Sequence, residues 1–362
     1  MKKQLGLILC ILAVIALGFI GWRSCKQADV ADVRIACNVP ISGDLATYGE
    51  SIRDGMLLAK EDLAAIDSSF VLSLDIQDNA SDATSALTIF SGQKQKGYTV
   101  YVSGVKPQTM SIIDEVEKMS SPHFAWIFDA YVTQRYPHTY RCWVNYRVEA
   151  EYIKRFLLQK ESKKIAIVYV QLPHTDELVN DILVPFFKDN DIQYFLEPYD
   201  ADKMDFKDIA AKVKNYGIDA LYVNGFKYNL IGIAKAFEEY EINANCDNLY
   251  TYDFLDAKDD LSEEIISHIN YIVPDYEVEM TPQKEAWQKR FVAKYHRQPR
   301  YTDAYAYDMV YAIYYAHVKG IPIEDVTFDG ITGHVDFDDS GDIVTKLFII
   351  NYSGNEIHYV LQ

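Results

Sequence analysis

Positive charge is scarce in this chain. Its 362 residues hold 35 Lys and Arg against 53 Asp and Glu, a formal charge of −18. Binding to a phosphate backbone runs on Lys and Arg, so nucleic acid is excluded as a partner class. Cysteine is scarce too. Five are present, at positions 10, 25, 37, 142 and 246, and no two stand in a Cys-x-x-Cys spacing. Neither a zinc site nor a redox pair is therefore indicated, although a disulfide among Cys37, Cys142 and Cys246 stays open. Catalytic signatures are missing as well: no Gly-x-Ser-x-Gly, His-Glu-x-x-His, Walker A or post-strand Gly-x-Gly-x-x-Gly occurs. The chain reads as a non-enzyme that needs neither cofactor nor metal. "DFDDSGD" carries Asp336, Asp338, Ser340 and Gly341 at the front spacing of a calcium loop, but Leu347 stands where the bidentate Glu belongs, so a hairpin turn is expected there.

What is plentiful is aromatic surface: 28 Tyr within a 14% aromatic share. A rigid ring with a polar tip gives contact area at small entropic cost, which suits a binding cleft. Tyr also favours strands, so the count alone does not decide. The start is apolar, running from Leu5 to Trp22 behind Lys2 and Lys3. That is the layout of an export signal. Two readings stand. Either Cys25 is acylated as the lipid anchor of a lipoprotein, or the run persists as an uncleaved membrane anchor. Both put the remainder outside the cytoplasmic membrane.

Beyond that run, strand and helix patterns alternate. "VRIACNV", "VLSLDIQD", "YTVYVSG" and "HFAWIF" read as strands with helices between them. The alternation restarts at "KKIAIVYV" and passes through "DALYVNGF" and "NLYTYDF". Such an order specifies parallel sheets covered by helices, and two rounds of it specify two lobes. Two helices divided at Pro299 follow, and the last segment reads as antiparallel strands.

Four segments carry a resemblance. "VPISGDLATYGESIRDGMLLA", "DFKDIAAKVKNYGIDALYVNGF", "FVAKYHRQPRYTDAYAYDMVYA" and "FDGITGHVDFDDSGD" resemble, in order and spacing, the type I periplasmic solute-binding proteins, closest to the leucine/isoleucine/valine-binding branch. The resemblance implies two Rossmann-like α/β lobes joined by a three-crossing hinge and closing on a ligand. It implies an extracytoplasmic monomer that captures a small molecule for an ABC permease, or alternatively serves a receptor as its sensor. The lobes would be 33–143 plus 273–328, and 144–272 plus 329–362, behind an anchor at 1–25.

Residue by residue, the resemblance places the site at the strand ends. Tyr48 would cover the mouth from the rim loop Pro40–Gly49, ahead of a helix starting near Glu50. Gln108 and Thr109 would follow the third strand. After the fourth, Ala125 stands at a family Ser, and Phe128-Asp129 at an Ala-Thr pair. In the second lobe His174 replaces a Tyr, Phe226 takes the next cleft position, and Asp253 matches the acid that grips an ammonium. Asp129 would oppose a ligand carboxylate, since like charges about 4 Å apart cost about 4 kcal/mol at an effective dielectric of about 20. Aromatic faces with acids suit an amine or cation. Leucine, isoleucine and valine are therefore expected to bind weakly. Trp126 and Tyr252 could serve either core or cleft.

Overall fold

The computed structural model describes residues 32–361 apart from Asp44, Glu279 and Asn355. The apolar N-terminal run and Cys25 lie outside the described residues. Among those described, no helix is long and apolar enough to cross a membrane.

The first sheet contains β1 (Val33–Val39), β2 (Leu72–Asp78), β3 (Val100–Gly104), β4 (His123–Trp126) and β5 (Thr139–Arg141), in the spatial order β2-β1-β3-β4-β5. All its pairings are parallel. The connecting helices are α1 (Ala46–Ile66), α2 (Ala83–Gln95), α3 (Lys106–Lys118) and the short α4 (Tyr131–Arg135). Strands buried on both faces need continuous apolar sequence, and β1 supplies it with Ile35, Cys37 and Val39 fully buried.

The second sheet starts after α5 (Tyr146–Gln159). It holds β6 (Lys164–Val170), β7 (Gln193–Tyr199), β8 (Ala220–Asn224), β9 (Asp247–Tyr250) and β10 (Asn270–Pro274). Between them lie a helical run over 173–189, called α6, with a π-helical middle at Glu177–Leu183, then α7 (Lys207–Tyr216), α8 (Lys227–Glu239), α9 (Phe254–Lys258) and α10 (Glu263–Ser267). The chain then returns to the first sheet with α11 (Pro282–Tyr295) and α12 (Tyr301–Lys319), and α12 lies along α1. A small hairpin of β11 (Phe328–Gly330) and β12 (Gly333–Val335) follows. Finally β13 (Leu347–Ser353) and β14 (Glu356–Leu361) extend the second sheet antiparallel, giving the order β14-β13-β10-β9-β8-β6-β7.

Where the chain passes between the sheets, a buried cluster ties two passages together. Arg141, fully buried, donates from Nε to Asp342 Oδ1 at 2.6 Å and from Nη1 to the Ile127 carbonyl at 3.2 Å. Asn145 donates to the other Asp342 oxygen at 2.9 Å, while its own side-chain oxygen accepts from the Arg147 amide and caps α5. The backbones of Arg141 and Asp342 also form a parallel bridge. The turn before it is closed by Asp338, whose carboxylate accepts from the amides of Ser340 and Asp342. Asp338 of "DFDDSGD" thus caps a turn, as the hairpin expectation had it.

Three local expectations are corrected. Helix α1 begins at Ala46 rather than near Glu50, so Tyr48 sits in its first turn and not at a loop tip. Gly49 permits this, because a Cβ there would lie 1.9 Å from the Pro40 carbonyl oxygen. Helix α3 takes in "KPQT", ahead of the "SIIDEVEKMS" that reads from sequence as its start; its Pro107 occupies a first-turn position where no amide partner is needed. Strand β5 and α4 were not anticipated at all, being only a few residues each.

Candidate functional site

The C-terminal ends of parallel strands are where open α/β sheets bind ligands. Here the ends of β4, β6, β8 and β9 converge between the lobes. A cavity there is lined by Phe128 from the first lobe, and by Tyr146, Glu149, His174, Phe226, Tyr252 and Asp253 among others from the second. Its volume is about 20 Å3, room for a water molecule or two. A larger molecule enters only when the lobes part.

Aromatic contacts hold the cleft shut. The rings of Phe128 and His174 stack across it with centroids 4.9 Å apart and planes 11° apart. Trp143 lies behind them. Tyr48 packs on it at 5.5 Å, Phe128 at 5.2 Å, Trp126 at 5.7 Å and Tyr301 at 6.0 Å. Its indole N–H donates to the Tyr252 hydroxyl at 2.9 Å. Trp126 is core, 1% exposed, whereas Tyr252 is nearly buried and forms part of the cavity wall.

Two carboxyl groups set the electrostatics. Glu149 is 1% exposed and accepts from the Tyr222 hydroxyl at 3.0 Å. Burial pushes it up to about 7, against the pull of hydrogen bonds from Thr251 and Tyr222. Asp253 keeps some accessible surface, yet its carboxyl is densely surrounded. Burial first, then the charges of Asp256 and Glu149, hold it well above the usual carboxylate range. Neither acid forms an ion pair among the described residues. Burial also raises the Tyr48 and Tyr301 hydroxyls, with Asp253 the largest charge contribution to each. His174 is pushed down by burial, and Lys106 pushes it further; Asp129 and Glu177 act the other way.

The structure therefore brings together four of the sequence candidates, Phe128, His174, Phe226 and Asp253, along one cavity. Tyr48 does not line it and packs instead on Trp143, which in turn meets Phe128. Asp129 differs from the expectation. It is 3% exposed and pairs with Lys106 at 2.5 Å, so its charge is matched rather than left to oppose a ligand. Gln108 and Thr109 do not line the cavity. The Thr109 hydroxyl is 2.8 Å from that of Ser103, which in turn meets buried His123 at 2.8 Å. Gln108 is buried in α3 with its side-chain oxygen unpartnered. Ala125 packs in a buried cluster with Ile113, Ile127 and Val132 and does not line the cavity.

Sequence reasoning missed Glu149, Trp143 and Tyr301. Glu149 had a readable signal. It occupies the apolar stripe of α5 beside Tyr146, Ala150 and Ile153, where an acid is out of place unless it serves something. Trp143 and Tyr301 gave none, since their roles depend on the crossing of the chain between lobes.

The sequence profile of the periplasmic binding protein family matches residues 32–321. The chain belongs to that family. Solved structures agree on the fold. The branched-chain amino acid transporter substrate-binding protein LivJ from Streptococcus pneumoniae, in complex with isoleucine, is 18% identical, with a TM-score of 0.73 over 91% of this chain and 99% of its own. An ABC transporter substrate-binding protein from Sphaerobacter thermophilus is 14% identical, with a TM-score of 0.78 over 91% and 96%. A Rhodopseudomonas palustris solute-binding protein in complex with p-hydroxybenzoic acid is 14% identical, with a TM-score of 0.75 over 91% and 96%. No curated protein matches the sequence at a significant level. As a periplasmic binding protein the chain is of an extracytoplasmic class whose members take up small molecules between two lobes.

Proposed function

We propose that this protein captures a small amine-bearing molecule between its lobes, without turning it over, and delivers it to an ABC permease. The observation that carries the reading is Asp253: a carboxyl in the cleft with no cation paired to it among the described residues, walled by Phe226, Tyr252 and Phe128. A buried carboxyl without a partner either stays protonated or awaits a positive charge. Aromatic faces around it add cation–π attraction.

A ligand in which a carboxylate dominates fits poorly. Of the clamp positions, Ala125 has no hydroxyl and faces the core, and Thr109 is engaged with Ser103. An aromatic acid such as the one bound by the Rhodopseudomonas palustris relative would meet Glu149 and Asp253. Isoleucine, bound by the Streptococcus pneumoniae relative, carries an amine but also the carboxylate that this cleft does not accommodate. The same closure could feed a receptor partner; the cleft chemistry is identical in that case. In the cell the protein works on the outer side of the cytoplasmic membrane, held there by the N-terminal segment.

A thermal-shift panel tests this, because a ligand that binds only the folded state stabilises it by about 2.7 kcal/mol at a hundredfold excess over Kd. Butylamine and phenethylamine are expected to raise the melting temperature, with leucine, isoleucine and p-hydroxybenzoate weaker. Stabilisation by the carboxylates alone would overturn the reading.

A further inference from the structure

The cleft holds not one but two carboxyl groups without a countercharge among the described residues. Asp253 follows β9, and Glu149 projects from the first turn of α5. They line the same cavity. Thr251, two residues before Asp253, hydrogen-bonds to Glu149, so the two acids are built into one wall. The nearest cations are otherwise engaged or aimed elsewhere. Lys227 pairs with Asp260 at 2.7 Å, Lys106 with Asp129 and Arg147 with Glu177. Arg300 acts on Asp256 and Tyr48.

A second feature points to a ligand with N–H groups. Behind the cavity wall, the Tyr301 ring meets that of Tyr252 at 6.2 Å; its side chain is only 4% exposed, and its hydroxyl has no hydrogen-bond partner among the described residues and lies in the field of Asp253. A buried hydroxyl left unpaired costs about 1–3 kcal/mol. Each carboxylate offers about four acceptor positions. Glu149 uses some of them on Tyr222 and Thr251, while Asp253 has no side-chain donor among the described residues. A quaternary ammonium supplies charge but no N–H, and would leave these acceptors empty. A monoamine answers one acid and leaves the other. Phe226, Phe128 and Tyr252 line the same cavity and supply apolar surface suited to methylenes.

We propose that the cleft selects a compact diamine, one protonated nitrogen for Asp253 and one for Glu149, in preference to monoamines and quaternary ammonium ions. The inference rests on the amine reading above and narrows it. Calorimetry on the full chain at fixed ionic strength tests it, using α,ω-diamines of two to six carbons, the monoamines of equal length, and tetramethylammonium. At least one diamine is expected to bind more than about 30-fold tighter than its monoamine, in line with the coupling seen for desolvated charge pairs. Glu149→Gln is expected to erase most of that ratio, which a diamine attracted only by the overall negative charge would not show. If monoamines bind the unmodified protein as tightly as diamines, the inference fails while the amine reading stands. If no amine binds, both fail.

Discussion

Glu149→Gln offers a test in the empty protein. The substitution keeps the shape and leaves an oxygen to accept from Tyr222, but removes a buried ionisable group. Glu149 rises from its ordinary 4.5 to about 7 on folding. An acid raised by folding binds more protons in the native state than in the unfolded one, so it destabilises as pH rises. The penalty is absent below about 4.5, grows between the two values, and is complete above about 7. A rise of one pH unit in the titration midpoint corresponds to about 1.4 kcal/mol, so the full effect is on the order of 3 kcal/mol. Urea unfolding of both proteins at several pH values between about 4.5 and 7.5 would measure it. Other acids are raised too, Glu277 to about 7 and Asp308 to about 6; the difference between variant and unmodified protein cancels them. The variant should gain roughly 3 kcal/mol relative to the unmodified chain across that range. Parallel stability curves would refute the placement of Glu149 as a buried acid without a countercharge.

Arg141→Met should cost about 3–5 kcal/mol, because it strands the Asp342 charge in the interior; the double variant with Asp342→Leu should recover much of the loss in chemical denaturation. Gly49→Ala should destabilise by about 1–3 kcal/mol or displace the rim loop, given a Cβ aimed at the Pro40 carbonyl; the melting temperature reads this directly. Ala125→Ser with Asp129→Thr should not create leucine binding in calorimetry. The new hydroxyl would enter the core beside Ile113 and Val132, and Lys106 would lose its partner.

The fold was largely legible because buried parallel strands leave continuous apolar runs and the helices between them leave glycines and caps. "VRIACNV" and "KKIAIVYV" needed nothing more. The missed β5 is three residues long, too short for any periodicity, and its place is fixed by pairing with β4. The start of α3 was hidden by Pro107, which breaks helices in their interior but suits their first turn. In the site, four residues that follow a strand within a few positions lie along the cavity: Phe128, His174, Phe226 and Asp253, after β4, β6, β8 and β9. Side-chain direction was not legible. Ala125 and Thr109 sit next to cleft positions in sequence, yet they point to the core and to Ser103. Asp129 found Lys106, a pairing across 23 residues that no local pattern shows.

The central claim is that Asp253 holds the positive charge of a ligand between the lobes. Calorimetric titration of the amine that most stabilises the unmodified protein, repeated on Asp253→Asn, tests it most directly. The amide keeps the shape and removes the charge, so affinity should fall by about 2–5 kcal/mol for a desolvated pair, or roughly thirtyfold and more. Unchanged affinity in a folded Asp253→Asn protein would contradict the account.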